Sequence, residues 1–237
     1  MRVPVELWEP KARSGAAAFA DVVYWEREIT ALGIESVVPV VVYDDGRMID
    51  ASRVWFILQY FGVKARILNG GWPAIEEVAD RAKVAPLREV SDFRAAPGSG
   101  SVGLIDRESL KARLNTDVGI LDVRTTAEYG GEDLRQNARG GHLPGSSLLP
   151  HAKLLSAGHF RGADELLKLL ADAGLDSGER LVTLCDAGGR AALAAAAAVR
   201  AGYSDIHIYY PSFSDWARDE SCPVVQSAPV DVGEVTA

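Results

Sequence analysis

The chain has 237 residues, a net charge of −8 at pH 7 and a hydrophobic fraction of 48%. That is material for one large or two ordinary cores, and the acidic balance disfavours nucleic acid and anionic membrane surfaces as partners. No apolar run approaches the ~20 residues of a membrane-spanning helix, and Met1-Arg2-Val3-Pro4 leads into acidic and polar sequence with no signal-peptide core.

Taken in order, Arg2 to Trp8 reads as a short strand. Phe19, Val22, Val23, Ile29 and Leu32 recur at helical spacing, and Gly33 is placed to end that helix. Val37 to Tyr43 reads as a buried strand with a proline near its start, and Asp44-Asp45-Gly46 as a turn. Asp50 is the candidate N-cap of a helix that runs to about Phe61 and stops at Gly62. Val63 to Leu68 is a further strand, and Asn69-Gly70-Gly71 turns into a helix opened by Pro73. This alternation predicts an α/β fold with a mostly parallel sheet flanked by helices.

Periodicity lapses around Ala95 to Ser101, where small, turn-prone residues take over. The expected division is therefore a unit over 1–95, a linker over 96–102 and a second unit over 103–237. In the second, Asp106 caps a helix through Leu114, and Val118 to Val123 is a strand ending in Asp122-Val123-Arg124. Gly130 to Gly145 is a loop; Ser147 to Leu149 is a strand and Ala163 to Ala173 a helix. A strand at Ile206 to Tyr209 and a helix at Ser212 to Ala217 close the fold, and the tail from Gln226 is expected to fray.

The candidate site is Leu181-Val-Thr-Leu-Cys185-Asp186-Ala187-Gly188-Gly189-Arg190, followed by the alanine-rich run Ala191 to Val199. A buried strand, a tight turn and a helix place the Cys185 thiol before unpaired backbone N–H groups, a positive helix end and one guanidinium. All three favour thiolate, so Cys185 is expected to titrate below the roughly 8.5 of a free thiol. The bland alternative is an inert cysteine at a strand end. Arg190 sits against the helix dipole, an unfavourable place for a cation unless an anion sits there too. Cys185 and Cys222 are too few for a disulfide framework and fit a reducing, cytoplasmic compartment. With four scattered histidines they show no zinc-ligand spacing, so neither a metal nor a cofactor is expected.

There is also an internal repeat. Val40-Val-Val-Tyr43-Asp44-Asp45-Gly46 lies over Val182-Thr-Leu-Cys185-Asp186-Ala187-Gly188, and each stretch leads through a helix to a strand and a turn closed by a tryptophan. Tyr43 replaces the cysteine, and a phenol with a pKa near 10 is no substitute for a thiolate at neutral pH. The first copy is expected to be inert. It also lacks a counterpart of the Asp122 strand and the loop after it, from which a shortened copy, or a natural start some 30 to 45 residues earlier, is expected.

Leu121-Asp122-Val123-Arg124, then Gly141-His142-Leu143-Pro144-Gly145, then Cys185-x-x-Gly188-x-Arg190 together resemble the rhodanese homology domain. With the repeat, the chain resembles the tandem-domain thiosulfate and 3-mercaptopyruvate sulfurtransferases. The resemblance implies a persulfide on Cys185, loaded by a small sulfur donor and discharged to cyanide or a thiol, with a thioredoxin-like protein as a further acceptor. It implies a loop of Asp186, Ala187, Gly188, Gly189 and Arg190 around substrate and persulfide, and Asp122 and Arg124 as braces. His142 reads as a hydrogen-bonded loop residue. Three features depart from the pattern: Asp186 directly after the cysteine, Glu128 where the thiosulfate enzymes carry a substrate-binding arginine, and the missing glycine in Tyr210-Pro211-Ser212. The alternatives are a rhodanese-like relay or regulatory binding module and, sharing the fold, a phosphatase. The phosphatase loop has five residues between Cys and Arg; here there are four.

Overall fold

The computed structural model describes residues 2–35, 38–76, 93–116 and 118–226. The fold is α/β, built on a fully parallel five-stranded sheet with helices on both faces. In chain order the strands are β3 (Val102–Leu104), β4 (Val118–Asp122), β5 (Ser146–Leu148), β8 (Arg180–Leu184) and β9 (Ile206–Ile208). Their spatial order is β3-β9-β8-β4-β5. The central strand β8 pairs with β4 from Val118↔Arg180 to Asp122↔Leu184, and with β9 from Leu181↔Ile206 to Thr183↔Ile208. Two short strands, β6 (Leu155–Ser156) and β7 (His159–Phe160), form a separate antiparallel hairpin.

Period-2 alternation along β8 divides the core. Val182 and Leu184 join Ile105, Leu110, Phe213 and Trp216 on one face, while Leu181 and Cys185 join the larger cluster on the other. That second face is covered by α8 (Gly189–Arg200), whose alanines are small enough for the helix to be buried on almost every side. α7 (Ala163–Asp172) flanks it, with Leu166 and Leu170 inward. The short helices α5 (Arg107–Lys111), α6 (Thr126–Gly130) and α9 (Ser212–Trp216) complete this part.

The preceding residues form α1 (Val5–Arg13), α2 (Ala16–Phe19), α3 (Val22–Ala31) and α4 (Ile49–Tyr60), with a two-stranded parallel sheet of β1 (Val40–Val42) and β2 (Ala65–Ile67). Here β1, α4 and β2 follow one another as β8, α8 and β9 do, and α4 packs directly on α8. One aromatic cluster ties these elements to the large sheet. Trp8 meets Trp25 edge-on at 5.4 Å, and Phe19 and Phe56 lie 5.4 and 5.6 Å from Tyr210. Among the described residues, no helix is long and apolar enough to cross a membrane.

Several elements differ from the sequence reading. Arg2 to Trp8 is not a strand: helix α1 begins at Val5, because Trp8 and Ala12 share one face and are fully buried together. The helix over 19–32 is broken at Ala20 and restarted by Asp21, whose carboxylate accepts from Tyr24 N–H at 3.2 Å. Asp50 is not the cap of α4. The N-cap position is Met48, and the Asp44 carboxylate, from the turn before it, accepts from the N–H groups of Gly46, Met48 and, within the helix, Ala51 at 2.9, 3.0 and 3.1 Å. The strand over 37–43 is shorter and not buried, since Val41 is 57% exposed and β1 pairs only with β2 among the described residues. The helix after Asp106 ends at Lys111, three residues short of Leu114. After Gly71 a 3₁₀ turn over Trp72–Ala74 replaces the start of the Pro73 helix. The rest of that helix and the tail beyond Gln226 lie outside the described residues.

The stretch 95–102 is bound to the end of α4. Ala96 and Gly98 donate to the Phe61 and Tyr60 carbonyls, and Gln59 exchanges two hydrogen bonds with the Val102 backbone.

Candidate active site

Cys185 is the first residue after β8 and is 1% exposed. Gly188, at φ +85°, turns the chain into α8 and aims its N–H at Cys185 Sγ, 3.1 Å away. A side chain at Gly188 would strike the Tyr210 ring and carbonyl at 2.8 Å, so the turn is pressed against the residues after β9. Those residues also hold the loop from the far side. The first N–H groups of α9 are spent on it, Phe213 donating to Cys185 O at 3.0 Å and Ser214 to Asp186 O at 3.2 Å. Ser212, itself at φ +61°, accepts from Cys185 N–H at 3.1 Å and lies 3.8 Å from Sγ. Its hydroxyl has two acceptors in reach, the Tyr209 carbonyl at 2.9 Å and Cys185 Sγ at 3.8 Å, of which the carbonyl is the nearer.

Arg190 donates through both terminal nitrogens to Glu128, at 2.7 Å each. The anion that the helix N-terminus called for is therefore a carboxylate of the protein. Burial pushes Glu128 up, but Arg190 and the Thr125 N–H hold it down, to about 2. Glu128 and Thr125 also close a capping box on α6. Burial lowers the Arg190 guanidinium, but Glu128 and the Cys185 and Asp186 charges raise it on balance.

Asp122 and Arg124 form a buried two-point pair, with Nη2 2.7 Å from Oδ2. Burial pushes Asp122 up, with Arg124 pulling against it. Arg124 also donates to the carbonyls of Gly141 and Glu128 and lies 3.9 Å over the Phe213 ring, so one guanidinium joins the strand end, the 130–145 loop and α9. His142 stacks on Tyr129 at 3.7 Å and donates from Nδ1 to its carbonyl. Asn137 donates to the Asp186 carboxylate at 2.8 Å. Of the residues that follow Cys185, Gly188 directs its N–H at Sγ, Asp186 is held by Asn137 and Arg190 by Glu128, while Cys222 is buried on the opposite face of the sheet.

Sequence reasoning missed Arg53, Tyr210, Ser212 and Asn137. Arg53 is the least visible: it sits in a buried run of α4, yet its Nη1 donates to the Ala187 carbonyl at 3.2 Å and to Tyr210 Oη at 3.1 Å. Tyr43 is half exposed and packs against Trp72 at 5.3 Å. A cleft of about 800 Å³ beside it is lined by Val3, Tyr43, Asp44 and Asp50 and does not reach Cys185. No group of His, Cys, Asp or Glu among the described residues is arranged to hold a metal ion.

A parallel sheet whose central strand ends in a cysteine loop wrapped on a helix N-terminus defines the rhodanese-like class, and that family matches residues 106–219. The chain belongs to it. It is 30% identical over 203 residues to SseB of Mycobacterium tuberculosis (strain ATCC 25618 / H37Rv), a protein with a provisional thiosulfate sulfurtransferase name, covering 81% of this chain and 68% of SseB. It is 29% identical over 199 residues to the 3-mercaptopyruvate sulfurtransferase of Escherichia coli (strain K12), covering 81% of this chain and 70% of the relative. In fold it resembles the anaerobic ergothioneine biosynthesis enzyme of Chlorobium limicola, with a TM-score of 0.78 at 22% identity. That match covers 92% of this chain, which spans 59% of the larger protein.

Proposed function

We propose that the protein is a sulfurtransferase that carries a sulfane sulfur as a persulfide on Cys185. The observation that carries this reading is the Gly188 N–H aimed at Sγ at 3.1 Å, in a loop whose carbonyls are already held from outside. The Cys185 thiolate attacks the outer sulfur of thiosulfate, the S–S bond of the donor breaks, and sulfite leaves with the bonding pair. With 3-mercaptopyruvate the C–S bond breaks instead, and pyruvate leaves once its carbon takes up a proton. The terminal sulfur of the persulfide then passes to cyanide, giving thiocyanate, or to a thiol, and the thiolate is restored. A thioredoxin-like protein is a fitting physiological thiol. A backbone amide suits such an intermediate because it serves both thiolate and persulfide anion without reorganisation.

The donor is better matched by 3-mercaptopyruvate than by thiosulfate. Arg190 is engaged by Glu128, and Asp186 adds a carboxylate next to the sulfur. A monoanion meets less repulsion there than a dianion. Residues 1–95 are read as an inactive copy with Tyr43 in the cysteine's place, joined through 96–102 to the catalytic copy over 103–237; the matching order of β1-α4-β2 and β8-α8-β9 supports this.

Incubation of the purified protein with each donor, followed by intact mass and cyanolysis, tests the reading. One added sulfur on Cys185, released as thiocyanate, is the expected result. A protein that takes up no sulfur from either donor and forms no thiocyanate is a binding module instead.

A further inference from the structure

The carbonyl of Ala187 and the N–H of Gly188 belong to one peptide unit, and the two ends of that unit are engaged by different parts of the molecule. The N–H points at Cys185 Sγ at 3.1 Å, while the carbonyl accepts from Arg53 Nη1 at 3.2 Å. We propose that Arg53 is a positioning residue for the Cys185 sulfur, acting through the Ala187–Gly188 peptide: the guanidinium fixes the plane of that peptide and polarises it, so that the N–H aimed at the sulfur becomes a stronger donor. This gives the N-terminal helix α4 a part in the chemistry of a cysteine 132 positions further along the chain.

The geometry around Arg53 supports the role. A trans peptide holds its C=O and N–H in one plane, pointing in opposite directions, so a donor that holds the oxygen also sets the direction of the hydrogen. Hydrogen bonds in a chain strengthen one another, most of all when the first donor is charged and the surroundings are dry. Arg53 is 6% exposed, and its Nη2 lies so close to Gly189 that a side chain there would come within 2.5 Å of it. The guanidinium therefore sits against the loop itself. Tyr210 Oη accepts from Nη1, the nitrogen that also donates to Ala187, and Tyr210 in turn abuts Gly188.

The counter-charges on Arg53 are loosely held. Glu9 of α1 is 3.5 Å from Nη2 and Asp50 of α4 is 3.9 Å from Nε. Nε is buried with no hydrogen-bond partner among the described residues. Burial lowers the Arg53 pKa, but Tyr210, Glu9 and the Cys185 charge raise it on balance. Arg190, by contrast, is closely paired on two points with Glu128. Of the two arginines beside the loop, Arg53 is the one whose carboxylates stand no closer than 3.5 Å.

The inference rests on the sulfurtransferase reading for its purpose, but its test does not. In a Cys222→Ser background Cys185 is the single thiol, and its alkylation by iodoacetamide is followed across pH for the parent, Arg53→Met and Arg53→Lys. The titratable and charged groups facing the pair are Glu9, Asp50 and the neutral phenol of Tyr210 on the Arg53 side and Asp186, Arg190 and Glu128 on the Cys185 side, and all are unchanged in these variants. Arg53→Met is expected to slow alkylation at neutral pH about tenfold and to move the midpoint of the profile up by about one unit. Arg53→Lys is expected to recover part of the loss. In the same samples the Gly188 amide proton resonance moves upfield in Arg53→Met, as its hydrogen bond weakens.

An Arg53→Met protein that melts cooperatively yet keeps the parent's profile and Gly188 resonance overturns the proposal. If Arg53→Met does not fold, Glu9→Gln decides: with one carboxylate removed from the guanidinium, alkylation at neutral pH is expected to rise, and an unchanged or slower rate overturns it. A parent protein that transfers no sulfur but shows these shifts defeats the sulfurtransferase reading and leaves the role of Arg53 standing.

Discussion

Arg190 and Glu128 meet through four atoms, each terminal guanidinium nitrogen 2.7 Å from a carboxylate oxygen, at the mouth of the loop that carries Cys185. Glu128 is 1% exposed, and it also accepts from the Thr125 N–H at 2.8 Å. One carboxylate therefore neutralises the cation at the start of α8 and caps α6. A donor anion approaching Cys185 meets no unpaired charge at Arg190.

Glu128→Gln is accordingly expected to lower the KM for thiosulfate while lowering stability by about 1–3 kcal/mol. Because Glu128 is held below its ordinary value, its contribution is fully present above pH 4.5 and is lost as the pH falls through about 2. The stability gap between the parent and Glu128→Gln should therefore be constant at neutral pH and close across that acid window, measured by urea unfolding at a series of pH values. A gap that is unchanged at the acid end would show that the ion pair contributes nothing to the difference.

The two cysteines are expected to behave differently. Cys185→Ser should abolish sulfur uptake, whereas Cys222→Ser should keep most of it. Cys222 is buried behind the other face of the sheet, burial pushes its thiol up, and its carbonyl accepts from Arg139 at 3.0 Å. A buried thiol of raised pKa is a packed apolar group rather than a nucleophile. Comparable loss in both variants, measured by thiocyanate release, would point to a dithiol mechanism.

Asp186 couples the cysteine loop to the loop over 130–145 through Asn137. Asp186→Gly removes a carboxylate beside the sulfur and is expected to raise kcat/KM for thiosulfate about tenfold, a change of roughly one pKa unit in the balance of charge. Asn137→Ala keeps the carboxylate and loses only the tether, so it should leave that preference unchanged. Steady-state rates with thiosulfate and 3-mercaptopyruvate check both, and a gain in Asn137→Ala equal to that in Asp186→Gly would assign the effect to loop mobility.

The strand carrying Cys185 and the alanine helix after it are legible because each is local: an apolar run, a glycine turn and a helix former fall in consecutive residues, whereas the Asp122–Arg124 pair is reached only through the family resemblance. Glu128 was visible as a departure, but its partner was not, since 62 positions separate it from Arg190. Arg53 was hidden in a run that reads as plain amphipathic helix, and only the packing of α4 on α8 brings it to Ala187. The error at Arg2 to Trp8 has the same origin. Valines and a proline read locally as extended chain, whereas the burial of Trp8 against Trp25 selects the helix. Asp50 lies inside the first turn of α4, and the helix amide of Ala51 is met instead by Asp44, whose turn folds back over three amide groups, a geometry that spacing alone does not show.

Gly188 offers the sharpest separation of backbone strain from contact. It has φ +85°, and an added Cβ would lie 2.8 Å from the Tyr210 carbonyl as well as from its ring. Gly174 also has a positive φ, +80°, but nothing lies within 4 Å of the added carbon. Gly174→Ala therefore measures the cost of a left-handed alanine alone, about 1–2 kcal/mol, and should leave sulfur transfer intact. Gly188→Ala bears at least that cost, since its ψ of −34° lies outside the left-handed helical well, and must also displace the Tyr210 backbone or swing its own peptide, adding about 1–3 kcal/mol. The peptide it would swing is the one whose N–H faces Cys185 Sγ, so sulfur uptake should fall by a larger factor than stability explains. Thermal unfolding of both variants, read beside persulfide formation on the folded fraction, checks this. Equal stability losses and equal activities in the two variants would show that the contact with Tyr210 does not hold the loop.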